Sequence, residues 1–288
     1  MIDIIKNKYP HIWHKGALPT LKKSTFYAHI EGVAQQKNIT VAEAFKKVYD
    51  LGFTGIDCDY ENIKNQGIEK FKEYCSPGFE IVSVYRFFDF GNIIDENEIL
   101  ATVDLADNVD CPKIMVIPGF YTDENRKKEQ FQNMVKGITL LCQEAAKKGI
   151  TVSVEDYDRI DSPCCLPEGL GAFLDAIPEL RFTIDTGNFY YSRSDLSEAY
   201  YRFKEKTVHA HLKDRSNVSL TEGDEPAPSL DGTPMYPAPV GGGVLPIKDI
   251  VQDLLMTGYN GYFTVEMFGS ADYYDYLKKS ADFLDNIK

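Results

Sequence analysis

The chain is poor in everything that would tie it to nucleic acid or to a membrane. Its 288 residues carry 31 basic against 44 acidic side chains, a formal net charge of −13. A phosphate backbone is gripped by a basic footprint, and an anionic lipid surface asks for the same, so neither partner is expected. No apolar run reaches the roughly 18 residues of a membrane span. The opening stretch, MIDIIKNKYP, has no apolar core of the kind a secretory signal needs. A cytoplasmic protein is expected. Its six cysteines (Cys58, Cys75, Cys111, Cys142, Cys164 and Cys165) include no C-x-x-C pair, and two of them are adjacent. That spacing suits neither a structural zinc site nor a disulfide framework, so reduced thiols are expected. A glycine-rich phosphate turn after an early strand is also missing. The only glycine cluster, Gly241-Gly242-Gly243, comes late and without a strand–turn–helix setting, which argues against a doubly wound nucleotide-binding sheet.

What is present is an alternation of short apolar segments with longer helix-period ones. Hydrophobic residues make up 43% and charged residues 26%, an ordinary globular balance. Strand-like runs fall at 25–30, 54–59, 80–86, 113–119, 150–156, 181–187, 208–214 and 261–267. Between them, Thr40 and Glu43 form a capping box for a helix that Gly52 stops; residues 128–148 read as a helix ending at Gly149, and 271–286 as the last helix. Eight strands alternating with helices imply a single (β/α)8 barrel occupying 1–288 as one domain. The stretch 215–244 is rich in Pro and Gly and has no period. It is expected as a long loop after the seventh strand, of the kind that forms lids or binding loops.

Only five histidines occur, and two lie in one short run, VHAHLKDRS. Val208, Ala210 and Leu212 alternate with His209, His211 and Lys213, so one strand face is apolar and the other is not. The same parity recurs in the fifth, sixth and eighth strands. There the apolar residues face the helices, and the inward rows end in Glu155, Asp185 and Glu266. The active site of such a barrel lies at the C-terminal strand ends. Four consecutive strands therefore offer Glu155, Asp185, His211 and Glu266 to one point. Three carboxylates held together repel unless a cation sits among them. Oxygen ligands with one imidazole suit Mn(II), Mg(II), Co(II) or Zn(II). His209 is expected one layer deeper, packed and hydrogen-bonded, while Lys213 can face the mouth. His29, read at the end of the first strand, can face it too. Asp57 and Arg86, read as inward residues ending strands two and three, either touch substrate or pair with a neighbour. Asn188, three residues after Asp185, completes the substrate-side candidates. His11 and His14 precede the first strand and are read as structural or exposed.

The segments V-E (154–155), F-T-I-D-T-G-N-F (182–189), V-H-A-H-L-K-D (208–214), P-V-G-G-G-V-L-P (239–246) and G-Y-N-G-Y-F-T-V-E (258–266) resemble the sugar phosphate isomerase/epimerase family of the xylose isomerase-like barrel superfamily. The resemblance implies one divalent metal, commonly Mn(II), held by Glu155, Asp185, His211 and Glu266. It implies a sugar or keto-sugar chelated through a carbonyl and the adjacent hydroxyl, with an enediolate formed by proton abstraction. Glu155 and Glu266 would be both ligands and proton-transfer groups, one abstracting and one returning the proton. Isomerisation or epimerisation beside a carbonyl follows, and relatives dehydrate inosose in a similar way. The endonuclease IV type of the same superfamily carries a histidine where this chain has Asn188, and another before the glycine cluster, where MYPAPVGGG has none; nuclease activity is disfavoured. With no basic clamp in that loop, an unphosphorylated sugar or polyol is favoured. A non-catalytic sugar-binding relative would be expected to lose one of the four residues, and all four are here. Homo-oligomers are common among relatives, but the sequence carries no interface signal of its own.

Overall fold

The structure, a computed structural model, describes residues 21–76 and 78–287. Eight parallel strands form a closed barrel: β1 (Lys22–Phe26), β2 (Phe53–Asp59), β3 (Glu80–Phe87), β4 (Lys113–Ile117), β5 (Thr151–Glu155), β6 (Arg181–Asp185), β7 (Thr207–Ser216) and β10 (Tyr262–Glu266). Two short strands, β8 (Ala227–Pro228) and β9 (Pro234–Ala238), lie outside it. Each barrel strand pairs with the next, and β10 pairs with both β7 and β1, which leaves the barrel no open edge. Helices link the strands and surround them, so the fold is a single (β/α)8 barrel.

Two opposed environments position the site. Val154, Ile184, Ala210, Leu212 and Val265 are buried in the apolar core between strands and helices. Fully burying one such side chain is worth about 1.5–3 kcal/mol. The barrel lumen is polar instead: Ser24, Asp57, Ser153, Thr183, His209 and Thr264 are all buried. Apart from His209 Nδ1, which has no partner, these groups pair with one another across strands. Ser24 Oγ lies 2.6 Å from Thr264 Oγ1, and Ser153 Oγ 2.7 Å from Thr183 Oγ1. A buried polar group without a partner costs about 1–3 kcal/mol, so this pairing is what lets a polar lumen persist.

The capping box at Thr40 and Glu43 forms, and its helix is Val41–Tyr49. The expected helices at 128–148 and 271–286 are Lys127–Ala146 and Tyr273–Asp285. The first strand differs from its sequence reading. It ends at Phe26, and the helix Tyr27–Lys37 begins at once, with no side-chain cap at its start. Without a capping residue or a turn residue there, nothing in the sequence marks the change. The 215–244 stretch is also more ordered than a plain loop. β7 runs to Ser216, and β9 pairs antiparallel with its extension, Asp214 opposite Ala238 and Ser216 opposite Tyr236. Its outer part is tied down by Arg193 to Asp231 at 3.1 Å, and by Asp224, which accepts from the Tyr276 hydroxyl at 2.6 Å and from the Ala271 amide at 3.0 Å.

Candidate metal centre at the barrel mouth

β5, β6, β7 and β10 deliver Glu155, Asp185, His211 and Glu266 to one buried point, each with a ligand atom within 4.8 Å of the others. His211 turns Nδ1 to the Glu155 carboxylate, in a short contact, and lies 3.5 Å from Glu266 Oε2. Asp185 is held by its own turn. Its Oδ1 accepts from the backbone N–H of Gly187 at 2.6 Å and of Asn188 at 2.9 Å. Its other oxygen, Oδ2, is buried without a well-angled donor, and Lys213 Nζ approaches it at 3.1 Å as a bare charge. Four buried oxygen and nitrogen donors around one point, one of them an orphaned carboxylate oxygen, fit a divalent cation of the Mn(II), Mg(II), Co(II) or Zn(II) type.

Lys213 offsets part of the negative charge of the site. Lys213 Nζ lies 2.5 Å from Glu266 Oε1 and donates to Asn188 Oδ1 at 2.7 Å. Burial alone would push the Lys213 ammonium down, but the charges of Asp185 and Glu266 overcome it and hold the group well above its ordinary value. Burial raises all three carboxyls Glu155, Asp156 and Glu266, the last to about 8, against the opposing pull of His211 on Glu155, of the Asp185 amide on Asp156 and of Lys213 on Glu266. His211 goes the other way: burial disfavours its charge, but Glu155 and Asp57 outweigh burial and hold the imidazolium well above 6.5.

The remaining candidates distribute unevenly. Asp57 does not end its strand; β2 continues to Asp59, and Asp57 sits one layer below the mouth. There it meets His209 Nε2 at 2.8 Å and His211 Nε2 at 3.2 Å and accepts from Thr264 Oγ1 at 2.9 Å. Burial would raise its carboxyl, but the two histidines prevail and keep it well below the usual carboxylate range. Asn188 is buried beside Lys213, and its Nδ2 donates to the Asp156 carbonyl at 2.6 Å. Two readings are corrected. His29 does not face the mouth: it lies in the first turn of the helix Tyr27–Lys37, fully buried, stacked on Tyr273 and accepting from the Met267 amide at 3.0 Å. Arg86 does not point inward. β3 turns Ser83 and Tyr85 to the lumen, and Arg86 reaches outward to Thr102 at 2.7 Å and Glu98 at 3.1 Å under the helix Glu96–Asn108. His11 and His14 lie outside the described residues.

Several residues at the site carry no ligand chemistry that a sequence could display. Phe26 packs edge-on against His211 at 4.9 Å between ring centres. An arc of rings follows around the mouth: Phe268, Phe26, Tyr85, Phe87, Tyr157 and Phe120, each 5.5–6.4 Å from the next. Their signal is positional, since each lies within three residues of the C-terminal end of a barrel strand. Asp214, the last residue of V-H-A-H-L-K-D, is a backbone anchor. Its carboxylate accepts from the N–H groups of Arg215, Gly241, Gly243 and Leu245. A Cβ on Gly243 would lie 2.2 Å from Asp214 Oδ1, which is why that motif and the glycine cluster occur together. All six cysteines are free, and none touches the centre's donor set. No described helix is long and apolar enough to cross a membrane.

Comparison with known proteins gives one family and a consistent fold. A search of curated proteins finds no match. Among solved structures, a probable 3-DHS dehydratase involved in petrobactin synthesis from Bacillus anthracis superposes with a TM-score of 0.68 at 17% identity, over 93% of this chain and 100% of that one. D-allulose 3-epimerase from Methylomonas sp., in complex with D-allulose, gives 0.70 at 14% identity over 96% and 100%. A xylose isomerase-like TIM barrel protein from Mycobacterium smegmatis, in complex with magnesium, gives 0.62 at 20% over 85% and 87%. At these identities the likeness speaks for the fold. The family model described as "Xylose isomerase-like TIM barrel" matches residues 45–287, and the chain belongs to that family.

Proposed function

We propose that this protein is a divalent-metal-dependent isomerase or epimerase of a sugar or keto-sugar, acting by proton abstraction next to a carbonyl. The observation that carries the reading is the buried convergence of Glu155, Asp185, His211 and Glu266, with Asp185 Oδ2 left without a hydrogen-bond donor. Those four residues would hold one ion, Mn(II) by preference. When bound, the ion supplies Lewis-acid polarisation of a carbonyl and its neighbouring hydroxyl.

The chain's own residues do the rest. Glu155 and Glu266 stand on separate strands, β5 and β10, and both have carboxyls raised by burial, Glu266 to about 8. A carboxylate placed against a reacting carbon acts as a general base, and the acid it becomes can return the proton. One glutamate abstracts the proton beside the carbonyl, and the other returns one to the opposite face or to the adjacent carbon. Lys213, fixed by Asn188, keeps a positive charge beside Glu266 and offers a donor to a substrate oxygen. The aromatic arc excludes water and presents ring faces to the C–H face of a substrate. Arg159 and Arg215, the arginines of the neighbouring loops, are already paired with Asp161 and Asp158, which favours an unphosphorylated sugar or polyol. The sugar-bound epimerase and the magnesium-bound relative agree with this reading. An inosose-type dehydratase would begin with the same abstraction, and the likeness to a probable dehydratase keeps it as the second reading.

Incubation of the Mn(II)-loaded protein with ketoses and cyclic keto-polyols in heavy water is the test. Deuterium beside the carbonyl of at least one of them is expected by NMR. A full panel without exchange would contradict catalysis and favour a sugar-binding protein.

A further inference from the structure

The deepest polar cluster of the barrel lies directly beneath the metal centre. His211 belongs to both. One ring nitrogen, Nδ1, faces Glu155 and Glu266, and the other, Nε2, lies 3.2 Å from Asp57 Oδ2. An imidazole gives one nitrogen to an ion, and the hydrogen bond made by the other sets which one and fixes the ring plane. Asp57 is itself locked. His209 Nε2 lies 2.8 Å from the same oxygen, and Thr264 donates to Oδ1 at 2.9 Å. Thr264 in turn pairs with Ser24, so the carboxylate is tied through β1, β2, β7 and β10 together.

Asp57, His209 and His211 are also spaced as a metal trio. Two features speak for protons there instead of an ion. The 2.8 Å and 3.2 Å contacts from Asp57 are hydrogen-bond lengths, and the carboxylate has a donor on each oxygen. Both imidazole Nε2 atoms also meet one and the same oxygen, Oδ2, as two N–H donors sharing an acceptor do.

We infer that Asp57 is the positioning residue of the metal centre, holding Nε2 of His211 from below so that Nδ1 is presented to the ion, and that the deeper trio is joined by protons and takes no second ion. This rests on the metal-centre reading above. The test is titration of metal-free wild type and Asp57→Asn with Mn(II), together with the proton NMR spectrum of Co(II)-loaded wild type. One Mn(II) per chain is expected in both proteins, bound about 10–100-fold more weakly by the variant. The Co(II) spectrum is expected to show one hyperfine-shifted imidazole N–H that persists in heavy water, because that proton is buried on Asp57. A merely structural Asp57 would leave the affinity of the folded variant unchanged, and that result overturns the inference. So does a second ion per chain, or the lack of the protected N–H in wild type. The spectrum needs no variant, so the inference stays open to refutation even if Asp57→Asn does not fold. Wild type that binds no metal at all defeats the metal-centre reading first, and is seen before Asp57 is changed.

Discussion

Glu155→Gln and Glu266→Gln are each expected to lower turnover by about 10²–10⁴-fold, the usual worth of a positioned general acid or base. Each change keeps the side chain's size and an amide oxygen but removes the group that carries the proton. Metal content measured on the same samples separates loss of the ion from loss of proton transfer. The two variants should also differ from each other. The one that keeps the abstracting glutamate can still remove and return a proton on one face. It should wash deuterium into substrate without net conversion. The one that lacks it should do neither. If both variants, with metal bound, turned over like wild type, the two-glutamate mechanism would be wrong.

The second large effect is on stability. Removing the metal leaves Glu155, Asp156 and Glu266 with carboxyls raised by burial and His211 with its imidazolium held above 6.5. Taken together, these groups hold protons in the folded chain that the unfolded chain releases at a lower pH. Stability therefore falls as pH rises while that difference lasts, by about 1.4 kcal/mol per pH unit for each such proton. Two buried histidines act oppositely at lower pH. Burial lowers His29 to about 3 and His209 to about 4, so their contribution improves as pH rises toward 6.5 and then stops changing. Asp57, held low by its histidines, is ionised in both states by then. Between about 6.5 and 8 the loss is unopposed within this cluster. Metal-free protein should melt progressively lower across that window. Mn(II) requires the deprotonated ligands, so it should stabilise more at pH 8 than at pH 6.5. At a hundredfold excess over its dissociation constant it should add about 2.7 kcal/mol, several degrees of melting temperature. Thermal melts with chelator and with Mn(II) at the two pH values check this. A metal-free melting temperature that rises over the window would contradict it.

The barrel was legible because its outward strand faces are apolar and its inward ones are not. In β5, β6, β7 and β10 that alternation is clean, since Val154, Ile184, Leu212 and Val265 pack on helices while Glu155, Asp185, His211 and Glu266 face the lumen. β3 broke the rule for a physical reason. Arg86 finds acceptors on the helix Glu96–Asn108, so a charged residue sits on the outer face and Tyr85 takes the inner one. β1 hid its end because Phe26 passes straight into a helix without a cap, which moved His29 from a strand tip into a buried helical turn. Asp57 reads as the inward residue that ends β2, but Asp59, inside the same strand-like run, shares its parity and lies nearer the mouth. Register shifts next to it, invisible in a sequence, set its depth. The role of Asp214 was equally out of reach, because its four backbone partners are up to 31 residues away.

The central claim is that four converging residues hold an ion. Elemental analysis of wild type and Asp185→Ala, purified without chelators or affinity metal, tests it most directly. About one divalent ion per chain in wild type, lost in the variant, is the expected result. No metal in either protein, even after addition of Mn(II), would contradict the account and leave a barrel whose buried carboxylates are balanced by Lys213 and His211.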